Sequence, residues 1–105
     1  MNFPRNSANL SGANLEGADL TGSDLRDANL KGTNLKNAKM VQVLLGGADL
    51  TSADLTGLDL TGSNLYKTNL TGVDLTKTTI VGVVEMEDAI KCKTKFSFGE
   101  ENDDC

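Results

Sequence analysis

One five-residue phrase, small residue, Asn or Asp, Leu, any residue, Gly, recurs without insertion over residues 6–84. Ala13-Asn14-Leu15-Glu16-Gly17 and Ala18-Asp19-Leu20-Thr21-Gly22 are two adjoining copies. The large residues, here called centres, fall at Leu10, Leu15, Leu20, Leu25, Leu30, Leu35, Met40, Leu45, Leu50, Leu55, Leu60, Leu65, Leu70, Leu75 and Ile80. On an α-helix, residues five apart lie about 140° from one another, so these centres would be spread around the whole surface. On a flat strand they would alternate faces, and half would sit in water. Neither regular element buries this pattern.

A chain that turns a corner every five residues does bury it, because each short extended segment then points its centre, and the small residue two before it, to the inside. The sequence therefore reads as a solenoid, and the repeat takes precedence over local propensity. Seven of the eight alanines lie two before a centre, where a crowded interior admits little more than a methyl group. Nine of the eleven glycines lie two after a centre, where the corner calls for positive φ or close backbone approach.

With its fifteen uninterrupted centres, the run resembles the pentapeptide-repeat family, whose pattern is A(D/N)LxG, over roughly three quarters of the chain. The resemblance implies an all-β fold: a right-handed quadrilateral parallel β-helix of about four coils, closed by a short C-terminal capping tail. Residues twenty apart would then stack, with Leu10, Leu30, Leu50 and Leu70 in one inner column and Leu15, Leu35, Leu55 and Leu75 in the next. Nearly four coils at strand spacing make a body roughly 19 Å tall.

At 105 residues the chain is expected to be a single domain, with an N-terminal cap at 1–5, a solenoid at 6–84 and a capping tail at 85–105. Phe3, Tyr66, Phe96 and Phe98 are the aromatic residues, and none is a centre, so the interior is expected to be aliphatic. The net charge of -5 is uneven: residues 1–84 carry -1 and residues 85–105 carry -4. No apolar run reaches the ~20 residues of a membrane span, and no basic-then-apolar leader opens the chain. As written the protein is expected in the cytoplasm, or in a thylakoid lumen or periplasm if a leader was removed.

In chain order, Phe3 is the candidate plug over the first coil, where core and strand edges would otherwise be open. The alternative is an incidental aromatic in a frayed start. The asparagines before the centres, Asn9, Asn14, Asn29 and Asn34, suit side-chain bonds to corner amides and amide ladders up the stack. The consensus lapses at Lys39-Met40-Val41-Gln42-Val43-Leu44-Leu45-Gly46-Gly47: the register survives, but Val41 and Leu44 fall on outward positions. Stacking would gather Val41, Leu44, Tyr66, Val81, Val84 and Met86 on one edge and face, a candidate interface unless the tail folds back over it. Asp54 and Asp74 would stack as like charges; solvated carboxylates bonded to the corner backbone are favoured over a cation site, which needs several convergent ligands.

The pattern fails at Glu85, where an inner position would hold an unpartnered charge. Val84 to Lys91 reads equally as a helical turn or an irregular strand. The segment from Ala89 to Gly99, with Cys105 at the end, is similar to a tail of many cyanobacterial and plastid family members, with Phe96 and Ser97-Phe98 departing from it. That similarity implies an inward Ile90 and a Cys92–Cys105 disulfide clamping the tail. Such a bridge would contribute roughly 3 kcal/mol in the chain-entropy model, and forms according to compartment. Two cysteines without histidine cannot complete a four-ligand zinc site.

The chain contains no histidine and no phosphate-binding glycine motif, and its carboxylates lie on a convex rod. No enzymatic activity, cofactor or metal is expected. The favoured role is a non-catalytic structural or protein-interaction module with an unidentified protein partner, no nucleic-acid or membrane contact, and a monomeric or weakly dimeric state. The alternative is a DNA-mimic inhibitor of DNA gyrase or topoisomerase, a role known in the family. The nearly neutral repeat body argues against it, since duplex DNA carries a charge about every 1.7 Å of axis.

Overall fold

The computed structural model describes residues 8–101 and 105, so the proposed plug Phe3 lies outside the described residues. Parallel backbone bridges join residues twenty apart. Asn9 to Asn29, Asn14 to Asn34, Asp19 to Lys39 and Asp24 to Leu44 open the series, one on each side of a four-sided coil, and the register holds as far as Asn64 to Val84. The fold is a parallel β-helix with four pentads to the coil.

The backbone explains why each pentad reads as it does. In Ala28–Gly32 all five N–H groups are satisfied: Ala28 donates to Leu25 C=O across the corner, Asn29 down to Ala8, Leu30 up to Asp49 and Gly32 up to Thr51. The remaining one, on Lys31, donates to Oδ1 of Asn29 at 3.1 Å. Where an Asn or Asp precedes the centre, its side chain thus accepts the one amide that the ladder leaves out. The corner residue takes positive φ at fourteen of the fifteen corners that follow a centre, and Lys77 is the exception. At Gly47 a side chain is also excluded by its neighbour, since a Cβ there would lie 2.2 Å from Asp27 Oδ1 in the coil below.

Inside, the centres from Leu20 to Leu75 are buried, together with a row of small residues. Where that row carries a hydroxyl, a rule emerges. Thr33 donates to Leu10 C=O, Thr68 to Leu45, Thr78 to Leu55 and Ser63 to Met40, each 23 residues back and one coil below. Ser23 is as deeply buried but its Oγ has no partner among the described residues.

Above Asp54 the pattern loosens twice. The Asp54–Asp74 bridge is missing from an otherwise unbroken series, and Gly57 N–H bonds to Lys77 C=O, twenty residues on, instead of the usual nineteen. This is the corner where Lys77 does not adopt the positive φ of the others. The second break is at Glu85, which takes φ 62 at the start of a 3-10 turn, Met86–Asp88. It absorbs one extra residue, so Asn69 pairs with Ile90 and Asp74 with Lys95, twenty-one apart.

That slip corrects several expectations. Parallel pairing does not stop at Val84 but runs on to Lys95. Glu85 is no buried unpartnered charge: it is partly exposed, and Met86 packs against the core. Ile90 faces outward at 38% exposure, and Ala89 takes the inner place at 3%. Phe96 is an aromatic centre after all, buried at 8%, because Lys95 pairs above Asp74 and so sets Phe96 above Leu75. Lys91 follows Ile90 where a centre is due, and its ammonium turns back to the carbonyls of Met86 and Glu87, each at 3.2 Å. The tail ends in a hairpin of β1 (Thr94–Phe96) and β2 (Gly99–Glu101), and a disulfide joins Cys92 to Cys105.

Candidate interaction surface

Outward side chains stand in columns, one residue per coil, and the columns locate each residue of the proposed patch. Val41 and Val81 share one column with Thr61 between them; Leu44 and Val84 share the next, across the corner, with Asn64 between them. Tyr66 stands two coils above Arg26, with Gly46 in the middle. Leu44, Tyr66, Val81 and Val84 are 39%, 45%, 69% and 46% exposed, whereas Val41 is half-buried. Met86 leaves the patch, since the slip at Glu85 turns it onto the core. The apolar groups therefore share an edge but are divided by a polar rung. Among the described residues the tail does not fold over them: its parallel pairs are with Asn69 and Asp74, on other sides of the coil.

Sequence reasoning missed the apolar groups at the upper end. Ile80 is a centre but 36% exposed, and Phe98 is 76% exposed while stacking on Phe96 with ring centroids 5.0 Å apart. They border a cavity of about 350 Å³ with Met86, Glu87 and Lys91. The slip concealed this arrangement, because a strict five-residue count puts Phe96 off-centre.

A second cavity, of about 360 Å³, lies within the proposed patch, between Arg26 and Asp27 below and Tyr66 and Lys67 above, with Leu44, Gly46, Gly47 and Asn64 completing the lining. Arg26 is fixed by a two-pronged pair with Asp24, Nε to Oδ1 at 2.8 Å and Nη2 to Oδ2. The Lys67 ammonium lies 5.3 Å from the centre of the Tyr66 ring.

Charges of opposite sign elsewhere approach one another between coils. Lys39 stands between Asp19 and Asp59, and Lys31 and Lys36 approach Asp49 and Asp54 at 3.9 and 3.7 Å. Asp19, Asp59 and Asp74 are held below the ordinary carboxylate range, first by the hydroxyl of the threonine two residues on and then by its amide. For Asp54 the Thr56 amide leads and the hydroxyl follows. Lysines add to the effect, Lys36 at Asp54 and Lys95 at Asp74, so the stacked aspartates have local cations beside them. Among the described residues no group of three or more His, Cys, Asp or Glu is placed to hold a metal ion. Nor is any helix among them long and apolar enough to cross a membrane.

Rigid columns of outward side chains on a core of repeated leucines define a solenoid repeat protein, whose working parts are its faces and edges. The chain belongs to the pentapeptide-repeat family: the model of pentapeptide repeats matches residues 8–47 and 44–80, with eight copies. It is similar to AT2G44920, a pentapeptide repeat protein from the Arabidopsis thaliana thylakoid lumen, at 35% identity and a TM-score of 0.81, over 92% of this chain and 67% of that one. Rfr23, a pentapeptide repeat protein from the cyanobacterium Cyanothece 51142, is 38% identical with a TM-score of 0.51, over 84% of this chain and 62% of that one. The plasmid-mediated fluoroquinolone resistance protein QnrB1 matches at 18% identity and a TM-score of 0.35, too remote to carry a functional argument. No curated protein sequence matches the chain.

Proposed function

We propose that the protein is a non-catalytic interaction module that receives a protein partner on the side bearing Leu44 and Tyr66. One observation supports this above the rest: large apolar side chains stand exposed there on the backbone of the solenoid, and the described residues of the tail leave them open. The paired columns of aspartate and lysine do not resemble the uniform anionic surface of duplex DNA, so imitation of DNA is not the favoured reading. The disulfide and the likeness to a thylakoid-lumen protein favour an oxidising compartment over the cytoplasm.

The test is site-specific photo-crosslinking in extract of the native host, with the reactive group at position 66 and, as a control, at position 31 on another side. A discrete adduct from position 66 that disappears in Leu44→Lys, with the circular dichroism spectrum unchanged, is the expected result. Equal adducts from both positions would remove this side as the interface. Inhibition of gyrase supercoiling by the purified protein would revive the DNA-mimic alternative.

A further inference from the structure

Gly46 is the one glycine in the chain without a positive φ. A Cβ placed there meets only Tyr66 O at 3.6 Å and Arg26 Cγ at 3.8 Å, ordinary contacts. The backbone therefore does not require glycine at this position, and glycine loses more conformational freedom on folding than any other residue. Its structural effect is an absence: in the column Arg26, Gly46, Tyr66 the middle side chain is missing, and the cavity lined by those residues opens there.

Its amide differs from its neighbours in the same way. Below, Arg26 N–H donates to Asp24 Oδ1 at 3.2 Å, and above, Tyr66 N–H donates to Asn64 Oδ1 at 2.9 Å. Between them Leu44 stands where the Asn or Asp belongs, and Gly46 N–H has no acceptor among the described residues. The gap thus exposes a backbone donor in the setting where neighbouring pentads supply a carboxylate or carboxamide oxygen. Arg26, with one edge engaged by Asp24 through Nε and Nη2, retains further N–H groups, and a guanidinium has five in all.

We propose that this gap is a recognition notch for an acidic-aromatic segment of a partner protein, its ring seated between Arg26 and Tyr66 and its carboxylate accepting from Gly46 N–H. This deepens the interaction reading above and rests on it. The spacing suits a ring: backbones two coils apart are separated by roughly 9.5 Å. Side chains extending straight out from those two rungs would leave about 4.8 Å on either side of a ring at the middle rung, a separation at which aromatic stacking and cation–ring contacts form. The carboxylate replaces the missing Asn or Asp oxygen and is drawn by Lys67 and by the N–H groups of Arg26 that Asp24 leaves unused, while Asp27 and the Asp24 already paired with Arg26 disfavour a second anion. A polypeptide suits the notch better than a free small molecule, since small-molecule sites enclose most of the ligand surface. This notch instead opens onto the exposed Leu44 side chain, where flanking residues of a chain can continue the contact.

The experiment is a titration of the whole 105-residue chain, labelled for nuclear magnetic resonance, with three capped dipeptides: Ac-Glu-Trp-NH2, Ac-Gln-Trp-NH2 and Ac-Glu-Ala-NH2. The expected result is a saturable shift of the Gly46 amide with the first, at least about threefold tighter than with either of the others, as loss of one charged hydrogen bond or of the ring implies. Gly46→Leu, which fills the notch, abolishes the shift; Leu44→Asn, which restores the internal acceptor, removes the preference for Glu over Gln. Failure of Ac-Glu-Trp-NH2 to saturate any shift near Gly46 by about 10 mM overturns the notch, as does unchanged binding in Gly46→Leu. Indole-3-acetate binding about tenfold tighter than the dipeptides overturns the polypeptide occupant. An adduct from position 66 without dipeptide binding leaves the interaction reading standing and removes only this inference.

Discussion

The coils below Asp54 and those above it are built from the same phrase, yet only the lower ones repeat it faithfully. From Asn9 to Asp49 every pentad finds its partner twenty residues on. Above, one bridge is lost beside Lys77, one residue is inserted at Glu85, and the last centres are a lysine and a phenylalanine. The contrast teaches that a solenoid tolerates local faults, because each coil answers only to its neighbours. After the slip, Ala89, Thr94 and Phe96 still reach the inside.

The largest expected effect sets a covered centre against an uncovered one. Leu30→Ala, enclosed between coils, should cost about 3–5 kcal/mol, and Ile80→Ala, with its upper side open, only about 1 kcal/mol, measured by denaturant unfolding. Equal losses would mean that the upper end is as tightly packed as the middle. Next comes the buried hydroxyl. Ser63 Oγ also accepts from Val43 N–H at 2.9 Å, so Ser63→Ala should cost about 1–3 kcal/mol, while Ser23→Ala at the same place two coils down should be near neutral.

Deletion of Glu85 would convert Val83 to Asp88 into a regular pentad. The shortened protein should unfold within about 1 kcal/mol of the parent, and loss of the cooperative transition would show that the inserted residue is needed, not merely tolerated. Lys77→Gly frees that corner to take positive φ, and should slow hydrogen exchange at Leu55, whose bond to Asp74 C=O is missing. No change in Leu55 exchange would move the cause elsewhere. The smallest effect is that of acid. Asp19, Asp54, Asp59 and Asp74 are held below the ordinary carboxylate range in the folded protein. Their contribution is therefore fully present above the unfolded value of about 3.9 and fades as pH falls through the folded values. The melting temperature should be level from pH 7 to about pH 5 and decline below about pH 4. A decline beginning near pH 6 would contradict those four assignments.

Much of the architecture was legible in the sequence because a strict five-residue period leaves one way to bury its leucines. The inner columns, the role of alanine before each centre and the outward placement of Leu44 all follow from counting. Counting failed where the chain stopped counting. A rigid register cannot express one inserted residue, so Glu85 reads as the end of the solenoid and Phe96 as off-centre, while the likeness of the tail to family members puts Ile90 inside. Allowing a single slip would have recovered both, since Ala89 and Thr94 are small inner residues five apart. The notch was less accessible: Gly46 next to Gly47 reads as a corner until the dihedral angles separate them.

By itself the sequence determined that this chain must coil, where its corners fall and which side chains face inward, because those are consequences of period and residue size. Only the tertiary structure decided which outward residues are neighbours across coils, where Ser23 is left without the partner that Ser63 has, and that an absent side chain at residue 46 opens a gap between Arg26 and Tyr66. Those properties belong to the stacking, where residues far apart in the chain are brought within a strand spacing of each other and local pattern no longer sets their surroundings.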